Sequence, residues 1–155
     1  MRLEAGQLPP GAHKLLVHRD HMTSVLEAHY GGAVALNVLR HDQNATHYAR
    51  KITLTLAADG RMVEIGIVRI DLSYVPDAVR EEILARRRPL GEILIRHNVL
   101  RRISPRWYFR FPPQTPVAQA FGDATRNAFG RVGTIYCNEE PAIDLLEVVL
   151  DDSEP

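Results

Sequence analysis

The sequence holds a single cysteine, Cys137. One thiol excludes an internal disulfide and any zinc site built on several cysteines. In a strand-like run it reads as a small core side chain. Net charge is missing too. Lys plus Arg equals Asp plus Glu, at 19 each, so no global field draws the chain to nucleic acid or to a membrane surface. No apolar run approaches the ~18 residues of a membrane span, and the first residues carry no signal-like apolar stretch. The expected location is the cytoplasm. The chain also lacks internal repeats and low-complexity linkers.

What is present suits one folded domain. The 155 residues are 45% hydrophobic and 25% charged. A domain of this length buries roughly 68–70% of the surface its unfolded chain exposes. We therefore expect a single domain over 1–155, with its core at about 15–150 and loose ends at Met1–Gly11 and Asp151–Pro155.

Periodicity places the elements. Leu15–Tyr30 reads as a helix, with Ser24 and Glu27 at capping-box spacing and Gly31-Gly32 as its stop. Val34–Arg40 alternates like a strand. Arg50–Leu56 alternates strictly, Asp59-Gly60 supplies a turn, and Arg61–Leu72 returns as a nearly all-apolar, central strand. Pro76 opens a helix, and Pro89-Leu90-Gly91 separates it from a short one over Gly91–His97. Trp107–Phe111 reads as a strand and Val117–Phe129 as a helix. Arg131–Cys137 and Ala142–Leu150 close the chain as a strand pair. Strands that neighbour one another without βαβ alternation argue for an α+β fold, a single antiparallel β-sheet with helices packed on it.

Two charges fall on apolar faces. Residues two apart share a strand face, so Arg50 sides with Ile52, Leu54 and Leu56, while Lys51, Thr53 and Thr55 face away. Arg50 either snorkels to water from the strand's start or forms an anion site, since its rigid fork grips carboxylates and stays charged when buried. Glu147 sides with Ile143, Leu145 and Val149, and the opposite face is apolar as well. A buried carboxylate must protonate, pair or bind a ligand. An internal ion pair to Arg69 or Arg131 is the structural alternative.

Two further clusters point elsewhere. His18-Arg19-Asp20-His21 has imidazoles and a carboxylate together, but no second motif completes the three ligands that catalytic zinc needs. It reads as the polar start of a helix, and no metal is expected. Between Arg86 and Arg110 lie eight Arg and one acidic residue, Glu92. With zero net charge this reads as a solvated face, not a nucleic-acid surface.

Four pieces in order resemble the chorismate pyruvate-lyase family. They are L-L-V-H-R-D-H-M-T (Leu15 to Thr23), R-K-I-T-L (Arg50 to Leu54) with its D-G turn and Gly66, P-L-G-E-I-L (Pro89 to Leu94), and Gly130-Arg131 followed by P-A-I-D-L-L-E (Pro141 to Glu147). The resemblance runs from about Leu15 to Leu150. Two positions depart from it. Ile67 stands where ubiquinone-pathway members tend to have Arg, and Leu146 where Thr precedes the closing Glu.

The resemblance implies a sealed pocket for an aromatic acid. Arg50 would hold the ring carboxylate, assisted by the Met22 backbone N–H. Glu147 would meet the ring hydroxyl, and Leu90 would give main-chain contact. Arg69 or Arg131 would meet a second carboxylate. The implied reaction is the cofactor-free elimination of pyruvate from chorismate to give 4-hydroxybenzoate, carried by positioning and preorganised charge. The same fold serves as the effector-binding domain of GntR-type regulators, so a binding protein without turnover is the alternative, and an enzyme acting on another ring acid is a third. The expected partner is chorismate or a related small molecule, with no nucleic acid and no membrane. The expected state is a monomer or small homo-oligomer.

Overall fold

Alternating side chains and tight turns build most of this molecule. A computed structural model describes residues 1–151. Seven strands form one antiparallel sheet: β1 (Arg2–Leu3), β2 (Val34–Gln43), β3 (His47–Leu56), β4 (Met62–Asp71), β5 (Arg101–Phe111), β6 (Ala128–Cys137) and β7 (Glu140–Leu150). Their order across the sheet is β1-β5-β6-β7-β4-β3-β2. The β3–β4 turn uses Gly60 at φ 76°, and Asp59 Oδ1 accepts from the Arg61 N–H at 2.9 Å. The β6–β7 turn places Asn138 and Glu139 at φ 50° and 70°, the twist that two-residue hairpins favour.

Helices α1 (Pro10–Leu16), α2 (Met22–Tyr30), α3 (Asp77–Ala85) and α4 (Leu90–Arg96) pack on one face of the sheet. Leu15, Leu16, Leu26, Ile83, Ile93 and Leu94 are fully buried there, each stabilising the fold by about 1.5–3 kcal/mol relative to exposure. The opposite face carries one helical turn, α5 (Pro116–Gln119), over a smaller cluster around Ile65, Ala118 and Val148. Among the described residues no helix is long and apolar enough to cross a membrane.

Four elements differ from expectation. The single helix expected over Leu15–Tyr30 is two, parted at His18–His21. Arg131 accounts for the break, because its guanidinium donates to the His18 carbonyl at 2.9 Å and to the Asp20 carbonyl at 3.4 Å. Those carbonyls serve a buried cation instead of a helical ladder. The helix expected over Val117–Phe129 is only α5. It stops at Gln119, Gly122 at φ 84° turns the chain beyond it, Asp123 captures Thr125 in a local turn, and Phe129 belongs to β6. The strand expected at Trp107 begins at Arg101, with a bulge between Pro105 and Trp107. The first residues are not loose: Arg2 and Leu3 pair with Phe109 and Tyr108, and Pro10 and Gly11 lie in α1. Of the expected C-terminal tail only Asp151 is described, and its Oδ1 accepts from the Ala12 N–H at 3.3 Å. The rest lies outside the described residues.

Candidate functional site

The sheet register brings distant residues into rows. Ile52, Gly66, Glu147 and Arg131 lie side by side across β3, β4, β7 and β6. The adjacent row holds Arg50, Val68, Leu145 and Gly133. Strand spacing puts the Cα atoms of Arg50 and Glu147 roughly 12 Å apart. Above these rows sit the first residues of α2, Met22 and Thr23, and those of α4, with Pro89, Leu90 and Gly91. Together they enclose a cavity of about 50 Å³ that Arg50, Glu64, Glu147, Met22 and Leu90 all line.

Arg50 is 3% exposed, and neither Nε nor Nη1 has a hydrogen-bond partner. The Tyr48 hydroxyl is buried beside the guanidinium and favours its charged form. Arg50 is not at the start of its strand, which begins three residues earlier at His47, so snorkelling to water does not describe it. Burial pulls its pKa below the ordinary value, and Tyr48 acts in the opposite direction. A desolvated cation with idle donors is costly unless an anion meets it.

Glu147 does have a partner. Its Oε2 accepts from Arg131 Nη2 at 2.6 Å and from Nε at 3.1 Å. Of the two arginines open as ion-pair partners, Arg131 is the one. Arg131 is 1% exposed and also donates to the turn between α1 and α2. Arg69 lies on the other face of the sheet, exposed and paired in register with Ala49 and Asp144. The expectation that it meets a ligand carboxylate fails on parity: Glu64, Gly66, Val68 and Ile70 face the helices, so Arg69 faces away.

Glu64 was not among the residues the sequence singled out. It is 2% exposed and lines the cavity. Its parity with Gly66, Val68 and Ile70 is the signal that marks it in an otherwise nearly all-apolar strand. Burial, with the Glu147 carboxylate beside it, pushes the Glu64 pKa well up, against the pull of Arg131. Burial raises Glu147 too, and there the Arg131 ion pair opposes it. The proton available to the two carboxyls therefore rests on Glu64, which lacks a cation of its own.

His21 forms part of the wall. Arg101 Nε donates to its Nε2 at 2.8 Å. Burial first, then Arg101, lowers its pKa to about 4. Gly91 explains the tight join, since a Cβ there would stand 2.6 Å from His21 Cγ. On its far side His21 lines an open groove of about 690 Å³ that also touches Arg19, Asp20 and Arg101. The enclosed cavity is small beside the roughly 150 Å³ that holds benzene in an apolar core. A ring acid needs the starts of α2 and α4 to move outward, and His21 stands where cavity and groove meet.

No family model and no curated protein matches this chain. Solved structures do. PhnF from Mycobacterium smegmatis matches at a TM-score of 0.65 and 14% identity, over 90% of this chain and 67% of that one. The effector domain of PhnF matches at 0.62 and 15%, over 87% of this chain and 90% of that one. A GntR-family transcriptional regulator from Bacillus cereus matches at 0.54 and 8%, over 79% and 94%. The chain therefore has the α+β fold of regulator effector domains, the chorismate lyase-like fold.

Proposed function

We propose that this domain binds a small acid, with the ligand carboxylate on Arg50 and a polar group at the other end of the cavity beside Glu64 and Glu147. The observation that carries this reading is the buried Arg50 guanidinium with two unpaired nitrogens in a residue that lines the cavity. A carboxylate placed there gains a charge-assisted, fork-shaped contact. The Met22 backbone and Leu90 close the cavity from above. The likeness to effector domains supports binding as the primary role. A flat hydroxylated ring acid such as 4-hydroxybenzoate is the ligand class. Titration calorimetry with 4-hydroxybenzoate tests it. Arg50→Ala should weaken binding by about 2–5 kcal/mol, and undiminished binding by that variant would place the site elsewhere.

A second reading is chorismate lyase turnover, and one feature favours it. Glu147 spends only Oε2 on Arg131, leaving Oε1 to orient or deprotonate a ring position opposite Arg50. In this reading the cavity excludes water and the fixed charges steer elimination of the enolpyruvyl group. Incubation with chorismate, following pyruvate and 4-hydroxybenzoate, separates the two. Tight binding of 4-hydroxybenzoate with no pyruvate released leaves a binding domain.

A further inference from the structure

The register sets Gly66 directly opposite Glu147. Glu64 lies two residues before Gly66 on the same face, and its Oε1 would be 3.6 Å from a Cβ at Gly66. A Cβ there would also meet Ile52 Cγ1 at 3.0 Å, so the glycine leaves room for the Ile52 side chain and the Glu64 carboxyl beside Glu147. Both Glu64 and Glu147 line the cavity. Arg131 engages only Oε2 of Glu147, and among the described residues no group donates to Glu64. Two carboxyls and one committed cation make a balanced set when one carboxyl keeps its proton. Glu64 is the one whose burial favours that form.

We propose that Glu64 is a specificity-determining residue, a carboxylic acid that donates a hydrogen bond while Glu147 Oε1 accepts one, so that together they read a ligand hydroxyl. This inference rests on the binding reading above and names what the far end of that site selects. A hydroxyl is one atom that both donates and accepts, which matches the pair. An aromatic amine donates but accepts poorly, leaving the Glu64 proton unused. A methyl ether accepts but cannot donate, leaving Glu147 Oε1 unpaired. Each mismatch strands a buried polar group, which costs roughly ten- to hundredfold in affinity.

The charged groups acting on Glu64 are Glu147 on β7 and Arg131 on β6, while Arg50 on β3 and His21 before α2 line the same cavity farther along. The ion pair to Arg131 favours the anion of Glu147 against its burial, and His21 is neutral above about pH 4. Glu64, whose pKa is raised by burial and by Glu147, is then the group whose proton decides whether the pair has a donor. Its donor is present below its raised pKa and lost above it, so affinity for the hydroxy acid falls as pH rises.

Calorimetry of the full chain with 4-hydroxybenzoate, 4-aminobenzoate and 4-methoxybenzoate tests this. The native protein should prefer the hydroxy acid by roughly ten- to hundredfold. Glu64→Gln keeps a donor in the same shape, so it should retain that preference and lose the part of the pH dependence that the ligand's own phenol does not supply. Glu64→Leu should lose the preference while remaining folded, since it removes a desolvated acid from an apolar site. Equal affinities for the three acids, or Glu64→Gln behaving like Glu64→Leu, overturns the proposal while Arg50-dependent binding stands. If none of the three binds in an Arg50-dependent way, both readings fall together.

Discussion

Two buried arginines on one face of the same sheet stand in opposite conditions. Arg131 is saturated: it holds Glu147 and the carbonyls of His18 and Asp20. Arg50, in the next row of the sheet, leaves two nitrogens without partners. Both are almost wholly buried, at 1% and 3% exposure, so burial alone does not distinguish them. Partners do. A fully partnered buried cation belongs to the structure, because removing it leaves a carboxylate and carbonyls stranded. An unpartnered one weakens the structure and waits for an anion from outside.

Substitutions at the two positions should separate these roles. The largest effect is expected for Arg131→Met, which strands Glu147 and releases the α1–α2 turn. It should lower stability by about 3–5 kcal/mol, read by urea unfolding. Next is an acid limb at His21. Its folded pKa of about 4 lies below the ordinary 6.5, so the native state resists protonation. Stability should be complete above pH 6.5 and fall as pH drops toward 4, by up to about 3 kcal/mol. Glu64 works in the other direction, since its raised pKa makes the fold less stable as pH rises. Melting curves of Glu64→Gln should therefore show the His21 loss more steeply than those of the native protein.

Gly91→Ala should cost about 1–3 kcal/mol, because its Cβ would press on His21 at 2.6 Å. A melting temperature unchanged by that substitution would mean the join between α2 and α4 yields easily, as ring-acid binding requires. Smallest is Arg50→Met, which trades an unpaired buried charge for an apolar side chain of similar reach. Stability should hold or rise by about 1 kcal/mol, while affinity for the acid collapses. A marked loss of stability there would sink the contrast with Arg131.

Parts of this arrangement are legible in the chain itself. The β3–β4 hairpin follows from a period of two and an Asp-Gly turn, both local. Parity puts Arg50 on an apolar face, and two apolar faces bury Glu147 whichever way its strand lies. The same local rule places Glu64 with Gly66, Val68 and Ile70 and turns Arg69 to the other face. The split of Leu15–Tyr30 into two helices is another matter. It depends on Arg131, 113 residues from His18, and no window of sequence contains both. The failed helix over Val117–Phe129 falls between these cases: Gly122 is a visible warning, but β6 claims Phe129 through pairing with Arg110 and Val149.

Side-chain periodicity decided which residues share a strand face, because alternation along a strand is a property of the backbone. It left open whether Glu147 would meet Arg69 or Arg131, and whether Arg50 would meet anything. Those outcomes came from strand order, which sets β7 between β6 and β4 and so brings Arg131 and Glu147 into register. The same order leaves Arg50 facing Val68 and Leu145, with no carboxylate in reach. Pairing energies act between strands far apart in the chain, and so only the folded sheet could make one arginine a strut and the other a receptor.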